Sequence, residues 1–275
     1  MTDPPTIFIT GATDGLGLGL ARRLADEGAQ LILHGRNPGK LDRVADDISR
    51  NSGTRPQVVV ADLADLQQVR DLAARVRRAT QRLDVFVSNA GIGSGLPDQR
   101  TRQTSVDGHE LRFAVNYLAG FLLTLELLPL LRQSSPARIV NVASIGQHPL
   151  DFDDLMLERQ YDGRRAYGQS KLAQIMSGFE LADRLPAGQI TVNSLHPATY
   201  MPTKIVVQEI GDSVDSLDVG IAAVHRLVSD EAMSTTTSRF FDRTREARAN
   251  AQAYDPAARA ELWQRSLKLV DHRDL

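Results

Sequence analysis

The chain has 275 residues, of which 42% are apolar and 24% are charged, and its formal net charge is −2. These values exclude a disordered or fibrous chain, and the balanced charge argues against a nucleic-acid partner. No cysteine is present, which excludes disulfides, zinc–thiolate sites, iron–sulfur clusters and a cysteine nucleophile. Any chemistry here therefore uses oxygen or nitrogen groups or a bound cofactor.

The N-terminal residues do not have the pattern of an export signal. Met1 to Pro5 carries an acidic residue and two prolines, whereas a secretory signal needs a basic start and an apolar core. The most apolar stretch, Phe121 to Leu131, contains Glu126 and Pro129 and is shorter than the ~20 residues of a membrane helix. We therefore expect a cytoplasmic protein with no membrane span, in which this stretch is a buried helix end.

Short β-branched runs alternate with longer segments of helical period, which is the pattern of a parallel sheet covered by helices on both faces. The predicted strands are 6–10, 31–34, 57–60, 85–88, 138–142, 190–195 and, more weakly, 239–241. Helices are predicted over 15–27, 217–229 and 256–270, and the charged stretch 242–248 is interpreted as a solvated face. No linker or repeat divides the chain, so we predict one α/β domain over 1–275 with a doubly wound, mostly parallel, seven-stranded sheet.

The turn between the first strand and the first helix is rich in glycine. Gly11 allows a sharp turn, while Gly15 and Gly17 remove side chains where a helix N-terminus would approach a pyrophosphate. Its place between a strand and an amphipathic helix favours a dinucleotide-binding Rossmann fold over an ordinary turn. The predicted cofactor contacts in this turn are Gly11, Thr13, Asp14, Gly15, Leu16 and Gly17.

The second strand ends in His34-Gly35-Arg36-Asn37. An acidic residue about 20 positions after the glycines would bind the ribose 2′-hydroxyl of NAD, and none stands here. The Arg36 guanidinium instead suits a 2′-phosphate, which favours NADP(H), with NAD(H) as the alternative. A solvated loop cation is the other interpretation of Arg36.

Tyr167 and Lys171 stand four residues apart in a predicted helix and so share one face. An ammonium beside a phenol stabilises the phenolate and lowers a pKa that is ordinarily near 10. The pair therefore predicts a tyrosine that exchanges protons near neutral pH.

With Asn89-Ala90-Gly91, Asn116 and Ser144, these motifs make the chain similar to the short-chain dehydrogenase/reductase family. The match runs from residue 6 to about 200 in the family's order. Local motifs most resemble the retinol-dehydrogenase-like and protochlorophyllide-reductase-like branch; they are Asp107–Glu110, Val115–Leu118, Ala166–Ala173 and Leu262–Ser266.

The resemblance implies a catalytic set of four residues. Tyr167 would protonate the carbonyl oxygen during hydride transfer, or accept the proton in the reverse direction. Lys171 would lower the pKa of Tyr167 and bind the nicotinamide ribose. Ser144 would orient the substrate oxygen, and Asn116 would hold a water that links Lys171 to solvent.

Further cofactor contacts are implied in the same way. Asp62 and Leu63 match the position that binds the adenine, and Asn89, Ala90 and Gly91 match the one that lines the adenosine ribose. After the sixth strand, Pro197, Thr199 and Thr203 match the nicotinamide side of the site. From the residues alone, Asp62 is equally a helix cap, Asn89 a turn former, Asn116 the cause of a helix kink and Ser144 a locally bonded hydroxyl.

Substrate specificity is expected in two loops, about 145–165 and 197–218. The predicted substrate contacts are Ser144, Ile145, Phe152, Tyr161, Tyr167, Tyr200 and Met201. Their mainly apolar character favours a hydrophobic carbonyl compound or its alcohol. The scattered histidines predict no metal site.

The sequence thus predicts an NADP(H)-dependent oxidoreductase that interconverts a ketone or aldehyde and an alcohol. Reduction of a carbon–carbon double bond on the same fold is one alternative, and a non-catalytic NADP-sensing protein is another. The apolar segments 121–131 and 175–185 would suit a homodimer or homotetramer, or would be plain core.

Overall fold

The computed structural model describes residues 4–95, 98–209 and 211–274. Its strands are β1 (Thr6–Ile9), β2 (Gln30–Gly35), β3 (Gln57–Val60), β4 (Val85–Ser88), β5 (Ala137–Val142), β6 (Ile190–His196), β7 (Arg239–Asp242) and β8 (Arg245–Ala247). Its α-helices are α1 (Gly15–Asp26), α2 (Pro38–Ser52), α3 (Leu66–Ala79), α4 (Leu111–Phe113), α5 (Ala119–Gln133), α6 (Gly163–Arg184), α7 (Lys204–Glu209), α8 (Leu217–Ser229) and α9 (Pro256–Leu269). A π-helical turn, Ala114–Leu118, joins α4 to α5.

All the strands belong to one sheet in the order β3-β2-β1-β4-β5-β6-β7-β8. The pairs from β3 to β7 are parallel, and β7 pairs with β8 in antiparallel fashion. The strand order reverses between β1 and β4, so the loops after these two strands diverge and leave a crevice at the carboxyl edge of the sheet. The predicted fold class, a doubly wound Rossmann-type α/β sheet, is confirmed.

The sheet has eight strands rather than the predicted seven. Arg243, with a φ of 55°, turns the chain after β7, and Arg245–Ala247 returns beside it with Phe240 opposite Ala247. The stretch interpreted as a solvated face is therefore partly an edge strand. Charged residues are common on such edges because they discourage pairing with other chains, and they hide the apolar alternation that reveals inner strands.

Helices cover both faces of the sheet and divide the core in two. Side chains of α1, α2 and α8 form one cluster with β1, β2 and β6, while α3, α5, α6 and α9 contribute to the other. The inner strands bury side chains on both faces, which explains why their sequences are largely continuous apolar runs rather than alternating ones.

Helix α9 lies on the outer side of α5 and α6. The Trp263 ring meets Phe121 edge-on at 5.0 Å between centroids, and Ser266 Oγ lies 2.6 Å from Tyr117 Oη. Arg184 of α6 stacks on the Trp263 ring at 4.7 Å. Helix α9 thus covers part of the apolar surface of α5 and α6, the two helices that contain the segments considered for pairing between copies of the chain.

In the described chain, the stretch Leu111–Gln133 is long and apolar enough to cross a membrane, judged by length and composition alone. Most of it is buried inside the protein. It includes the segment 121–131, which lies within α5, where Leu122, Leu123 and Leu127 are fully enclosed.

Candidate active site

The glycines of the turn after β1 leave its backbone uncovered by side chains of their own. Gly11 has a φ of +69°, and a Cβ atom on it would lie 2.9 Å from the Cα of Ala90. A Cβ on Gly17 would lie 2.7 Å from the amide nitrogen Nδ2 of Asn89. Asp14 precedes α1 and accepts a hydrogen bond from the backbone N–H of Gly15 at 2.7 Å. The turn therefore presents backbone at the positive end of a helix, as an anion site requires.

Asn89 holds this turn against the end of β4. Its side-chain Nδ2 donates to the carbonyls of Thr10 at 2.8 Å and Gly11 at 3.2 Å. In return, Thr10 Oγ1 accepts from the backbone N–H groups of Asn89 and Ala90 at 3.0 and 3.1 Å. The structure places the side-chain amide of Asn89 in the scaffold of the turn, where it fixes the shape of the crevice.

His34 supports the same turn from β2. Its Nδ1 accepts from Gly11 N at 3.3 Å, and its Nε2 lies 3.1 Å from the carbonyl of Ala61. Burial lowers the pKa of His34 to about 4. At neutral pH the ring is therefore uncharged, with its proton on the nitrogen that faces Ala61.

Arg36 and Asp62 follow β2 and β3 at the same edge of the sheet. Arg36 is exposed at the end of β2, and Thr13 of the glycine turn packs beside the neighbouring Gly35. Asp62 accepts from the backbone N–H of Ala64 at 3.0 Å, which is a local turn contact, whereas the residue that caps α3 is Asp65. Leu63 is buried.

Tyr167 lies in the first turns of α6, and Ser144 lies two residues beyond β5. Burial raises the pKa of Tyr167, the hydrogen bond with Ser144 acts in the opposite direction, and Glu209 and Tyr200 raise it further. The expectation that Lys171 lowers this pKa is not supported by the described chain. The Lys171 ammonium lies 5.9 Å from the centre of the Tyr167 ring and donates instead to the carbonyl of Val142 at 2.9 Å.

Lys171 is 5% exposed, and burial lowers its pKa to about 8. Asn116 lies in the π-helical turn, and its Oδ1 accepts from Ile92 N at 2.7 Å. Its Nδ2 donates to Ile92 O at 3.1 Å and to Ser170 Oγ at 3.0 Å. A Cβ atom on Gly91 would lie 3.2 Å from Asn116 Oδ1 and 3.5 Å from Lys171 Nζ. The loop after β4 is thus fixed beside both side chains.

The segment after β6 brings Thr203 to the glycine turn. A Cβ atom on Gly15 would lie 3.1 Å from Thr203 Cγ2. Thr199 faces another group: its N–H donates to Asp215 at 2.7 Å, and its Oγ1 accepts from Arg243 at 3.2 Å. Pro197 is buried directly after β6. Of these three residues, the structure therefore brings Thr203 to the turn and commits the Thr199 side chain to Arg243.

The predicted substrate residues have different surroundings. Ile145 and Tyr200 are 58% and 48% exposed, and Tyr200 interacts electrostatically with Tyr167. Met201 is buried against Gly220 of α8. The Tyr161 hydroxyl accepts from Arg112 at 2.7 Å and donates to Glu110 at 3.0 Å. The assignment of these residues to the substrate site stays a prediction.

Phe152 lies in a second cleft. The cleft has a volume of about 430 Å³ and is lined by Phe152, Leu155, Met156, Arg265 and Lys268, with neighbouring residues of the same two segments. Arg265 stacks on the Phe152 ring at 5.3 Å. Tyr167 and Ser144 do not line this cleft, so the structure groups Phe152 with α9 rather than with these two hydroxyls.

The carboxyl edge of the sheet fits a nicotinamide dinucleotide. Bare backbone at Gly11 and Gly17 meets the positive end of α1, and the exposed cation of Arg36 follows the next strand. Lys171 carries three N–H donors, one of which is directed at Val142 O. No group of three His, Asp or Glu side chains that could hold a metal ion occurs among the residues described.

Comparison with known proteins identifies the family. The family model for the short chain dehydrogenases matches residues 5–212, which include the glycine turn, Ser144 and the Tyr167–Lys171 pair. The chain therefore belongs to the short-chain dehydrogenase/reductase family and is an oxidoreductase.

Its relatives place it in the retinol-dehydrogenase-like branch. Mouse retinol dehydrogenase 13 is 32% identical over 96% of this chain and 83% of its own length. A protein described as a candidate daunorubicin C-13 ketoreductase, DnrU of Streptomyces sp. (strain C5), is 34% identical over 96% of this chain and 92% of its own.

Solved structures share the fold. A protein from Mycobacterium paratuberculosis matches with a TM-score of 0.79 and 28% identity, covering 98% of this chain and 96% of that one. A short chain dehydrogenase from Shigella flexneri 2a str. 301, complexed with NADP, matches with a TM-score of 0.71 and 28% identity over 86% of this chain and 96% of that one. The family and this complex support a nicotinamide cofactor.

Proposed function

We propose that the protein is an NADP(H)-dependent carbonyl reductase or alcohol dehydrogenase in which Tyr167 is the general acid and base. The observation that carries the proposal is the convergence of Ser144, Tyr167 and Lys171 at the carboxyl edge of the sheet, next to the bare glycine turn. Two relatives are named for an alcohol dehydrogenase and for a ketone reductase, which are the two directions of one interconversion.

Each side chain has a distinct part in the reaction. The nicotinamide supplies the hydride when it is bound. Ser144 bonds the Tyr167 hydroxyl and is placed to orient the substrate oxygen between the two hydroxyls. Tyr167 delivers its proton to that oxygen as negative charge develops there. The raised pKa of Tyr167 keeps the hydroxyl protonated, which suits carbonyl reduction near neutral pH.

Lys171 supplies positive charge and hydrogen-bond donors near the reacting groups. Its ammonium has the backbone carbonyl of Val142 as a partner, and its pKa near 8 leaves it charged at pH 7. Its other N–H groups are donors for the nicotinamide ribose, the second role that the family resemblance gives Lys171. Asn116 acts through the loop after β4, because its amide fixes Ile92 beside Lys171.

Two finer points belong to the proposal. The exposed Arg36 guanidinium favours NADP(H), because it can pair with a 2′-phosphate. The exposed apolar side chains of Ile145 and Tyr200, near Ser144 and Tyr167 respectively, favour a hydrophobic carbonyl substrate. A cytoplasmic location is part of the same proposal.

The test is an assay of NADPH oxidation with a panel of apolar ketones and aldehydes. We expect turnover by the unchanged protein and a loss of about 10²- to 10⁴-fold in Tyr167→Phe, because the proton donor is removed while the ring remains. Tyr254→Phe is the matched control, since Tyr254 lies near α9 and its ring contacts Phe179. Equal rates for Tyr167→Phe and the control would contradict the proposed role of Tyr167.

A further inference from the structure

Helix α7 connects the two loops that flank the crevice. Just before it, Thr203 lies against Gly15 of the glycine turn. At its end, Glu209 contacts Ser94 and Gly95 in the loop after β4. Because β1 and β4 are neighbours at the point where the strand order reverses, a segment joined to both loops spans the mouth of the crevice.

The Glu209 carboxylate accepts hydrogen bonds from three donors in that loop. Its Oε2 accepts from the backbone N–H of Ser94 at 3.0 Å and from Ser94 Oγ at 2.8 Å, and its Oε1 accepts from Gly95 N at 2.8 Å. Gln99 Nε2 donates to Ser94 Oγ at 3.0 Å and so orients that hydroxyl toward the carboxylate. Hydrogen bonds to an ionised acceptor are about twice as strong as those between neutral groups.

The loop that receives Glu209 is fixed from its other side. Arg112, which is 4% exposed and paired with the buried Glu110, donates from Nε to the carbonyl of Gly93 at 3.1 Å. At the start of the loop, Ile92 is bonded through both its N–H and its C=O to Asn116. Glu209 therefore contacts a rigid part of the site.

The segment that carries α7 is also closed at its base. The backbone N–H groups of Val214 and Asp215 donate to the carbonyls of Tyr200 and Thr199 at 3.0 Å each. The Asp215 carboxylate accepts from Thr199 N at 2.7 Å and from Arg243 Nε at 3.1 Å. The base of the segment is thus fixed, and Glu209 links its far end to the loop after β4.

We propose that Glu209 is a positioning residue that holds α7 closed beside Tyr167 by accepting the Ser94 and Gly95 N–H groups, and that substrate exchange requires this contact to open. The proposal rests on the proposed reductase site and adds the group that controls access to it. Electrostatics support the proposal independently. Burial is the main reason why the pKa of Tyr167 is raised, and the negative charge of Glu209 raises it further. The carboxylate therefore lies within electrostatic reach of the Tyr167 hydroxyl.

The first test is hydrogen exchange of the peptide amides at 92–95, measured by mass spectrometry in the absence of substrate. Glu209→Asp keeps the charge and shortens the reach, whereas Glu209→Gln keeps the length and removes the charge. We expect exchange in this peptide to rise by roughly tenfold or more in Glu209→Asp and by less in Glu209→Gln. Glu231→Gln, at an exposed glutamate beyond α8, is the matched control and should leave the rate unchanged.

Exchange at the rate of the unchanged protein in both Glu209 variants would overturn the proposal. The urea unfolding midpoints of Glu209→Asp, Glu209→Gln and Glu231→Gln are measured as well. If the midpoints are equal, faster exchange reports local opening and not general destabilisation. The exchange measurement needs no turnover, so it decides the contact of Glu209 even if every carbonyl compound in the panel fails and the proposed function falls.

The second test is the pH profile of carbonyl reduction, which a merely structural role would not move. The ionisable and hydrogen-bonding groups that face Tyr167 are Ser144, Lys171, Tyr200 and Glu209. Reduction needs protonated Tyr167, so activity falls as pH rises through its pKa. Removing the Glu209 charge lowers the pKa of Tyr167. We therefore expect the loss of activity at high pH to begin at a lower pH in Glu209→Gln and at an unchanged pH in Glu231→Gln. An unchanged pH in Glu209→Gln would overturn the placement of the carboxylate beside Tyr167.

Discussion

Side chains from other strands bond the backbone of the glycine turn at three points. His34 accepts the Gly11 N–H, while the Asn89 amide donates to the carbonyls of Thr10 and Gly11. The turn after β1 is therefore held by β2 and β4 as well as by its own glycines. Because the Nδ1 of His34 must be unprotonated to accept the Gly11 N–H, the shape of the turn depends on the charge state of one buried ring.

His34 predicts a particular dependence of stability on pH. Its pKa is about 4 in the folded protein against 6.5 for an ordinary histidine, so the unfolded chain binds the extra proton between these values. The free energy of unfolding should fall as pH is lowered from 6.5 to 4, with His34 contributing up to about 3 kcal/mol of the loss.

The measurement is urea unfolding across that pH range, for the unchanged protein and for His34→Asn. Asparagine offers a donor and an acceptor but does not titrate, so the His34 share of the pH dependence should disappear. His148→Asn, at an exposed histidine, is the control. If His34→Asn keeps the pH dependence of the unchanged protein, the buried neutral ring is not its source.

Arg36 predicts cofactor preference. Replacing it with alanine should weaken NADPH binding by about 10- to 100-fold and leave NADH binding nearly unchanged, because a charge-assisted bond to a phosphate is worth ~1.5–3 kcal/mol. Fluorescence titration with both cofactors measures this difference. The control is Arg43→Ala, at an exposed arginine within α2. Equal affinities of Arg36→Ala and Arg43→Ala for NADPH would contradict the prediction.

Among the elements, α9 covers part of α5 and α6. Trp263 is 1% exposed, with Phe121 on one side, Arg184 over its ring and its Nε1 donating to Asp274 at 2.8 Å. The helix therefore seals α5 and α6 against water. Association between copies through these two helices would have to displace α9 or use the surface that it leaves free.

Truncating Trp263 tests the contribution of α9 to stability. Trp263→Ala should lower the free energy of unfolding by about 3–5 kcal/mol, since it leaves a cavity against Phe121, and Trp263→Phe should cost less. Lys268→Ala, at an exposed position of the same helix, should change it by less than about 0.5 kcal/mol. Urea unfolding followed by circular dichroism gives the comparison. A Trp263→Ala protein as stable as Lys268→Ala would mean that α9 is not part of the core.

At the scale of the whole molecule, the local sequence pattern predicted the strands of the sheet well but did not predict the contacts between residues far apart in the chain. Strands β3 and β4 have the predicted bounds because their apolar runs end in sharp turns, whereas charged β8 has no such pattern. Gly11 and His34 stand 23 positions apart, and Ser94 and Glu209 stand 115 apart. No local spacing relates such residues, so these contacts emerge only when the fold brings the loops together.

Family motifs mark the candidate catalytic residues, but they do not predict the electrostatics of these residues. The Tyr167–Lys171 spacing predicts a lowered pKa for the tyrosine, yet burial dominates and raises it. Burial depends on loops from the whole chain, including Tyr200 and Glu209, which local periodicity does not place. The surroundings of Phe152 were not predictable either, because the segment before α6 packs partly on α9.

The proposed reaction is hydride transfer to a carbonyl carbon with Tyr167 as the proton donor. It can be followed with NADPH carrying deuterium at the transferable position of the nicotinamide, with mass-spectrometric analysis of the product from an apolar unsaturated ketone. We predict deuterium on the carbinol carbon of an alcohol, formed at least 100-fold more slowly by Tyr167→Phe, the lower bound of about 10²-fold for a lost general acid. Deuterium on a reduced carbon–carbon bond with the ketone intact, or equal rates for the two proteins, would contradict it.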